Sequence, residues 1–215
     1  MTKVVIIDYG MGNLHSIAKA LQKVAPAGVR IVISGDASQL RQADRLVFPG
    51  VGAIRDCMTA LAAHELIPTL LEASRTKPTL GICLGMQALM DSSEENGGVA
   101  CLARIPGQVR HFGEHLQDEL GHRLKVPHMG WNQVIFSSPD HPLWHGIDNS
   151  SWFYFVHSYH VVPADAAHTA AISHYPAPFT ASVQDGNLFA VQFHPEKSQT
   201  AGLKLLANFL AWNPE

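Results

Sequence analysis

The chain has 215 residues, 47% hydrophobic and only 15% charged, with a formal net charge of -3. That apolar content supplies one well-packed core, and the length suits one domain spanning residues 1–215 better than two. A chain with no basic stripe lacks the electrostatic footprint of a nucleic-acid binder, and no apolar run is long enough to span a bilayer.

Val4 to Ile7 reads as a buried strand, broken at Asp8 too early for the apolar region of a signal peptide. Asn13 precedes a helical stretch whose apolar face repeats at Ile17, Ala20, Leu21 and Val24. Val29 to Ile33 is a second strand, followed by Ser34-Gly35-Asp36 as turn and cap. Leu46 to Phe48 is a third strand, Ala53 to Ala63 and Ile67 to Ser74 are helices, and Thr79 to Ile82 is a fourth strand. This alternation predicts an α/β fold, an open and mostly parallel sheet flanked by helices.

From about Val109 to Val191 the pattern changes to short strands between turns. They are Trp152 to Val156, His160 to Val162, Ala170 to His174, Phe179 to Val183 and Leu188 to Phe193. Such a segment adds an antiparallel part to the sheet. Phe112 to Arg123 is polar and aperiodic, a surface loop. A final helix from Gln199 to Trp212 carries an apolar face of Leu203, Leu206, Ala207 and Leu210, widened by Leu205, Phe209 and Trp212.

Three cysteines, Cys57, Cys83 and Cys101, form an odd and sparse set, which predicts free thiols in a reducing cytoplasm. Cys83 stands out because Gly81-Ile82-Cys83-Leu84-Gly85 places it between small residues where a strand meets a helix. A sharp turn there lifts a nucleophile clear of the sheet, and the helix N-terminus favours thiolate. A buried, inert cysteine is the competing reading of that pattern alone. His194 and Glu196 shift the balance: two residues apart at a strand end, they leave on the same side. The carboxylate can then hold the imidazole while its other nitrogen serves the thiolate. Pro49-Gly50-Val51-Gly52 leaves backbone N–H groups open, as an oxyanion hole needs, with the Leu84 N–H as second donor.

The motif around Cys83, extended by Met86-Gln87, together with His194-Pro195-Glu196, resembles the class I (triad) glutamine amidotransferases. Asp8 to Leu14, Pro49 to Gly52, Pro127-His128-Met129-Gly130-Trp131-Asn132 and Tyr154 to Tyr159 narrow the likeness. Together they are similar to the glutaminase subunits of imidazole glycerol phosphate synthases in histidine biosynthesis. The resemblance implies a flavodoxin-like fold and hydrolysis of L-glutamine through a Cys83 thioester, with no cofactor and no metal. His194 would move the protons and Glu196 would orient it. Gly50, Val51 and Leu84 would hold the oxyanion, with a peptide flip in that loop. Gly52, Gln87, Ser158, Tyr159 and Glu95 would bind the glutamine, Glu95 at its amino group. The ammonia would pass to a separate cyclase, a (β/α)8 barrel of ~250 residues that this chain cannot supply. Met129, Trp131 and Lys197 are the expected contacts in that heterodimer. For Trp131, a core indole carries comparable weight.

Several alternatives bear on the same residues. A dinucleotide turn at Asp8 to Asn13 lacks the third glycine, with His15 in its place. His111 and His115 have metal-ligand spacing, but Gly113 lies between them and no third ligand is evident. A freestanding γ-glutamyl hydrolase would share the triad and need no partner. The amidotransferase subunit of another pathway would differ around residues 127 to 132. A regulatory binding module would require an unreactive Cys83.

Overall fold

The computed structural model describes residues 1–214. Its first half runs β1 (Thr2–Ile7), α1 (Leu14–Val24), β2 (Val29–Ser34), α2 (Ala37–Arg41), β3 (Arg45–Gly50), α3 (Ile54–Ala63), α4 (Ile67–Thr76) and β4 (Thr79–Cys83). A single helical turn, α5 (Leu84–Gln87), leads into β5 (Ser92–Ser93), β6 (Val99–Ala100), β7 (Gly107–His111), β8 (His128–Gln133) and β9 (Ile135–Phe136). The remainder comprises β10 (Trp152–His157), β11 (Tyr159–Pro163), β12 (Thr169–His174), β13 (Pro178–Asp185), β14 (Leu188–Val191) and α6 (Gln199–Ala211).

One large sheet has the order β2-β1-β3-β4-β14-β13-β11-β7-β5-β6, and β12 branches from β13 to reach β9. Strands β2, β1, β3, β4 and β14 pair in parallel. The sheet turns antiparallel at β13. The α/β class and the antiparallel addition in the second half are both as the sequence predicts. Parallel strands carry helices on both faces, so their residues are apolar in both directions. Val4 and Ile6 join the core beneath α1 and α6, whereas Val5 and Ile7 join the one beneath α3 and α4. Each such fully buried side chain contributes about 1.5–3 kcal/mol.

Local chemistry sets the ends of several elements. Asp36 caps α2, its carboxylate accepting from the Ser38 N–H at 2.7 Å. Asn13 precedes α1 without a side-chain cap. Phe112 to Arg123 is indeed without regular strands or helices, bridged only at Gln117 and Arg123. The buried face of α6 is centred differently from its expected stripe: Gly202, Leu205, Leu206, Phe209 and Leu210 are buried, while Leu203 and Ala207 are half-buried. Gly202 draws this helix in, because a Cβ there would sit 2.0 Å from the Pro195 carbonyl oxygen.

Two motif segments form a structure of their own. Strands β8 and β10 make a separate two-stranded antiparallel sheet, with Trp131 opposite Tyr154 and His128 opposite His157. Its inner face buries His128, Phe153, Phe155 and His157, and its outer face exposes Met129 (63%), Trp131 (42%) and Trp152 (53%). Trp131 is therefore a surface residue and not a core indole. Among the described residues no helix is long and apolar enough to cross a membrane.

Candidate active site

Cys83 ends β4 with φ 54° and ψ -110°, a conformation strained for a side chain bearing a Cβ. Such strain persists only where the surroundings enforce it, and both flanking glycines do so. A Cβ on Gly81 would lie 2.8 Å from the Ala190 side chain, and one on Gly85 would lie 2.0 Å from the Phe48 carbonyl oxygen. The chain thus turns sharply against β3 and β14. Gly85→Ala should destabilise the fold by about 3 kcal/mol, because the clash is with backbone. The urea unfolding midpoint would show it, and an unchanged midpoint would refute the elbow's packing role. The helix expected beyond the elbow is short. One turn, Leu84–Gln87, gives little macrodipole, so activation of Cys83 rests on its side-chain neighbours.

Those neighbours arrive on the adjacent strand. β14 lies parallel to β4 with Val191 paired to Ile82, and His194 follows three residues later. The His194 N–H donates to the Tyr154 carbonyl at 2.9 Å, and its own carbonyl accepts from Ser198 Oγ at 2.7 Å. His194 Nδ1 donates to Glu196 Oε1 at 2.9 Å, and both side chains are almost wholly buried. His194 Nε2 is buried without a protein hydrogen-bond partner, in the wall of the cavity that Cys83 also lines. Burial works against a charged imidazole there. The nearby Cys83 sulfur and the Glu196 carboxylate outweigh it and raise the pKa to about 10. Burial pushes Cys57 up to about 12 and Cys101 up to about 11, and neither thiol lines the cavity.

The cavity has a volume of about 300 Å³. Val51, Gly52, Leu84, Gln87, Glu95, Ser158, Tyr159 and Lys197 line it with Cys83 and His194, so most of the sequence-predicted residues converge. Gly50 lies one layer behind, paired with Cys83 across β3 and β4, in a smaller cleft shared with His194 and Glu196. Met129 and Trp131 stay outside the cavity, on the outer face of β8. Lys197 stands at its edge with Nζ 5.6 Å from the centroid of the Tyr154 ring. His111 is engaged locally, its Nδ1 accepting from the Gly113 N–H at 3.0 Å.

Two of these residues are already engaged by the protein. Glu95 Oε2 accepts from the Ile54 N–H at 3.1 Å and so caps α3. Gln87 Nε2 donates to the Tyr159 carbonyl at 2.9 Å and to Gln192 Oε1 at 3.1 Å.

Three further residues join the site that the sequence pattern does not reveal. Gln192, fully buried, donates from Nε2 to Cys83 Sγ at 3.7 Å. Tyr9 Oη donates to the Pro49 carbonyl at 2.8 Å, bracing the start of the Pro49–Gly52 loop. Ser198 holds the backbone of His194. Their partners lie 109, 40 and 4 residues away in sequence, so only the last was within reach of local pattern.

A strained cysteine elbow, a buried His–Glu pair and the open-mouthed cavity they share fit a thiol-dependent hydrolase of the amide or ester class. A family model described as "Glutamine amidotransferase class-I" matches residues 5–212, and the chain belongs to that family of glutaminases. A relative from Methylococcus capsulatus is 60% identical over 214 residues, covering 100% of this chain and 98% of its own. Another, from Pseudomonas syringae pv. syringae, is 56% identical over 99% of both chains. Each is named "Imidazole glycerol phosphate synthase subunit HisH". Those are names of a synthase subunit, so the freestanding hydrolase reading is not favoured. A solved structure described as "glutamine amidotransferase" shares the fold at a TM-score of 0.70 with 16% identity, covering 97% of each chain. The glutaminase domain of Trypanosoma brucei CTPS does so at 0.64 with 16% identity, covering 100% of this chain and 96% of its own.

Proposed function

We propose that this chain is the glutaminase subunit of imidazole glycerol phosphate synthase, working in the cytoplasm as one half of a heterodimer. The observation that carries the chemistry is His194, tied to Glu196 through Nδ1, with Nε2 buried and free in the cavity of Cys83. Cys83 attacks the side-chain amide carbon of glutamine. His194 protonates the departing ammonia, then takes a proton from the water that cleaves the γ-glutamyl thioester. Glu196 keeps the imidazole oriented and offsets its charge. The N–H groups of Leu84 and of the Gly50–Val51 segment receive the oxyanion. Gly52, Gln87, Ser158, Tyr159 and Glu95 hold the amino-acid part of the substrate.

The partner is a (β/α)8-barrel cyclase that uses the ammonia to make imidazole glycerol phosphate and aminoimidazole carboxamide ribotide, the lyase step of the complex. The outer face of β8 and β10 suits such a partner. Met129, Trp131 and Trp152 expose apolar surface there, and Lys197 stands nearby at the cavity edge.

Ammonia release from glutamine, measured for the chain alone and with the cyclase bound to its nucleotide substrate, tests the reading. Release should rise at least about tenfold with the liganded partner, a population shift that needs about 1.4 kcal/mol of differential affinity. Trp131→Ala should weaken cyclase binding by about 2 kcal/mol, readable by titration calorimetry. Equal rates with and without partner, or unaltered binding in the variant, would return the chain to the class of freestanding hydrolases.

A further inference from the structure

His128, Asn132 and His157 belong to motifs that the reaction does not use, yet they form a continuous chain from half-buried Asn132 through two buried rings into the glutamine cavity. Asn132 Oδ1 accepts from the Gln133 N–H at 2.8 Å. Its amide nitrogen lies 2.9 Å from the His174 carbonyl and 3.2 Å from His128 Nε2. His128 Nδ1 lies 3.0 Å from His157 Nε2, and His157 Nδ1 lies 2.8 Å from the Tyr159 carbonyl.

The direction of every proton follows from the two ends. A carbonyl only accepts, so His157 Nδ1 carries hydrogen toward Tyr159 and, in a neutral ring, Nε2 accepts. The Asn132 amide nitrogen only donates, so His128 Nε2 accepts and His128 Nδ1 donates. Reasoned from either end, the same tautomer results for both rings, and no position remains for a further proton. The surroundings agree. Burial pushes His128 down to about 4. Burial above all pushes His157 down to about 3, against the Tyr159 hydrogen bond. His128 also lies stacked between Phe155 and Tyr175, with ring centroids 5.0 and 4.1 Å away.

At its inner end the chain fixes backbone. The Tyr159 carbonyl receives both His157 Nδ1 and Gln87 Nε2, and the Ser158 carbonyl accepts from the Phe112 N–H at 3.1 Å. Neither carbonyl is left to turn, so residues 158 and 159 present a set backbone to the cavity they line. The outer end is β8, whose opposite face carries Met129 and Trp131.

We propose that Asn132, His128 and His157 are positioning residues: a neutral hydrogen-bond relay that sets the Ser158–Tyr159 backbone for substrate binding, an inference resting on the reading of this cavity as the glutamine site. The relay acts on binding and touches no reacting atom. Its loss therefore falls on KM and leaves kcat at saturating glutamine nearly intact.

The test uses the full chain with the liganded cyclase. His157→Leu should raise KM for glutamine about tenfold, the cost of one hydrogen bond lost from the Tyr159 carbonyl, which then keeps only Gln87. His157→Asn, whose amide nitrogen can stand in for Nδ1, should recover most of it. In the unsubstituted chain, nitrogen-15 spectra at pH 7 should show both rings neutral and protonated on Nδ1. An unchanged KM in His157→Leu, a fall confined to kcat, or either ring protonated on Nε2 would overturn the relay. Failure of the unsubstituted complex to hydrolyse glutamine would instead refute the glutaminase reading, and the spectra would still decide the relay.

Discussion

Cys83→Ala should lower glutamine hydrolysis by about 10³-fold or more while glutamine still binds. The substitution keeps the Cβ, so the strained φ of 54° and the packing of Gly81 and Gly85 are retained. What goes is the sulfur, and no other thiol can replace it. Cys57 is fully buried with its Sγ donating to Tyr9 Oη at 3.5 Å, and Cys101 is only partly buried but lies outside the cavity. Ammonia release with the liganded partner and calorimetric binding of glutamine form the measurement. Activity within tenfold of the parent would exclude Cys83 as nucleophile.

The His194–Glu196 pair gives the second large effect. His194→Ala should lower kcat by about 10²–10⁴-fold, the range for a positioned acid–base. Glu196→Gln keeps the shape and removes the charge, so it should lower kcat less and move the pH profile. In the parent, burial disfavours the imidazolium but Cys83 and Glu196 together raise its pKa to about 10. A raised pKa places the high-pH limb of kcat/KM well above the ordinary imidazole range, and Glu196→Gln should draw that limb toward acid. The same shift has a stability consequence. His194 contributes stability that is fully present below 6.5 and lost as pH rises through about 10. A high-pH limb unmoved in Glu196→Gln would sink the pairing.

How much of this was legible in the sequence varied with the range of the interaction. Val4–Ile7, Leu46–Phe48 and Thr79–Ile82 are strands because two apolar faces need β-branched and aromatic residues, a local signal. His128 to Gln133 carries His, Gly, Asn and Gln, which have little β preference. It becomes a strand by pairing with Trp152 to His157, and that pairing is invisible to a local window. The elbow and the His-Pro-Glu motif point to Cys83 and His194, which line one cavity, whereas the helix after Cys83 stops at Gln87. Glu95 shows the same limit: its cap on Ile54 reaches across 41 residues. The residues that brace the site, Gln192 and Tyr9, act through contacts that exist only once the sheet has formed.

The order β3-β4-β14 places three fully buried strands side by side in the sheet interior. The Pro49–Gly52 loop, Cys83 and the segment leading to His194 all leave from the same ends of these strands. Amide hydrogens along them should exchange with solvent only when the whole molecule opens, unlike those of the polar segment 112–123. These three segments therefore share the cooperativity of the core and cannot be lost one at a time. A destabilising core substitution consequently reduces the number of competent molecules and leaves the turnover of each survivor intact.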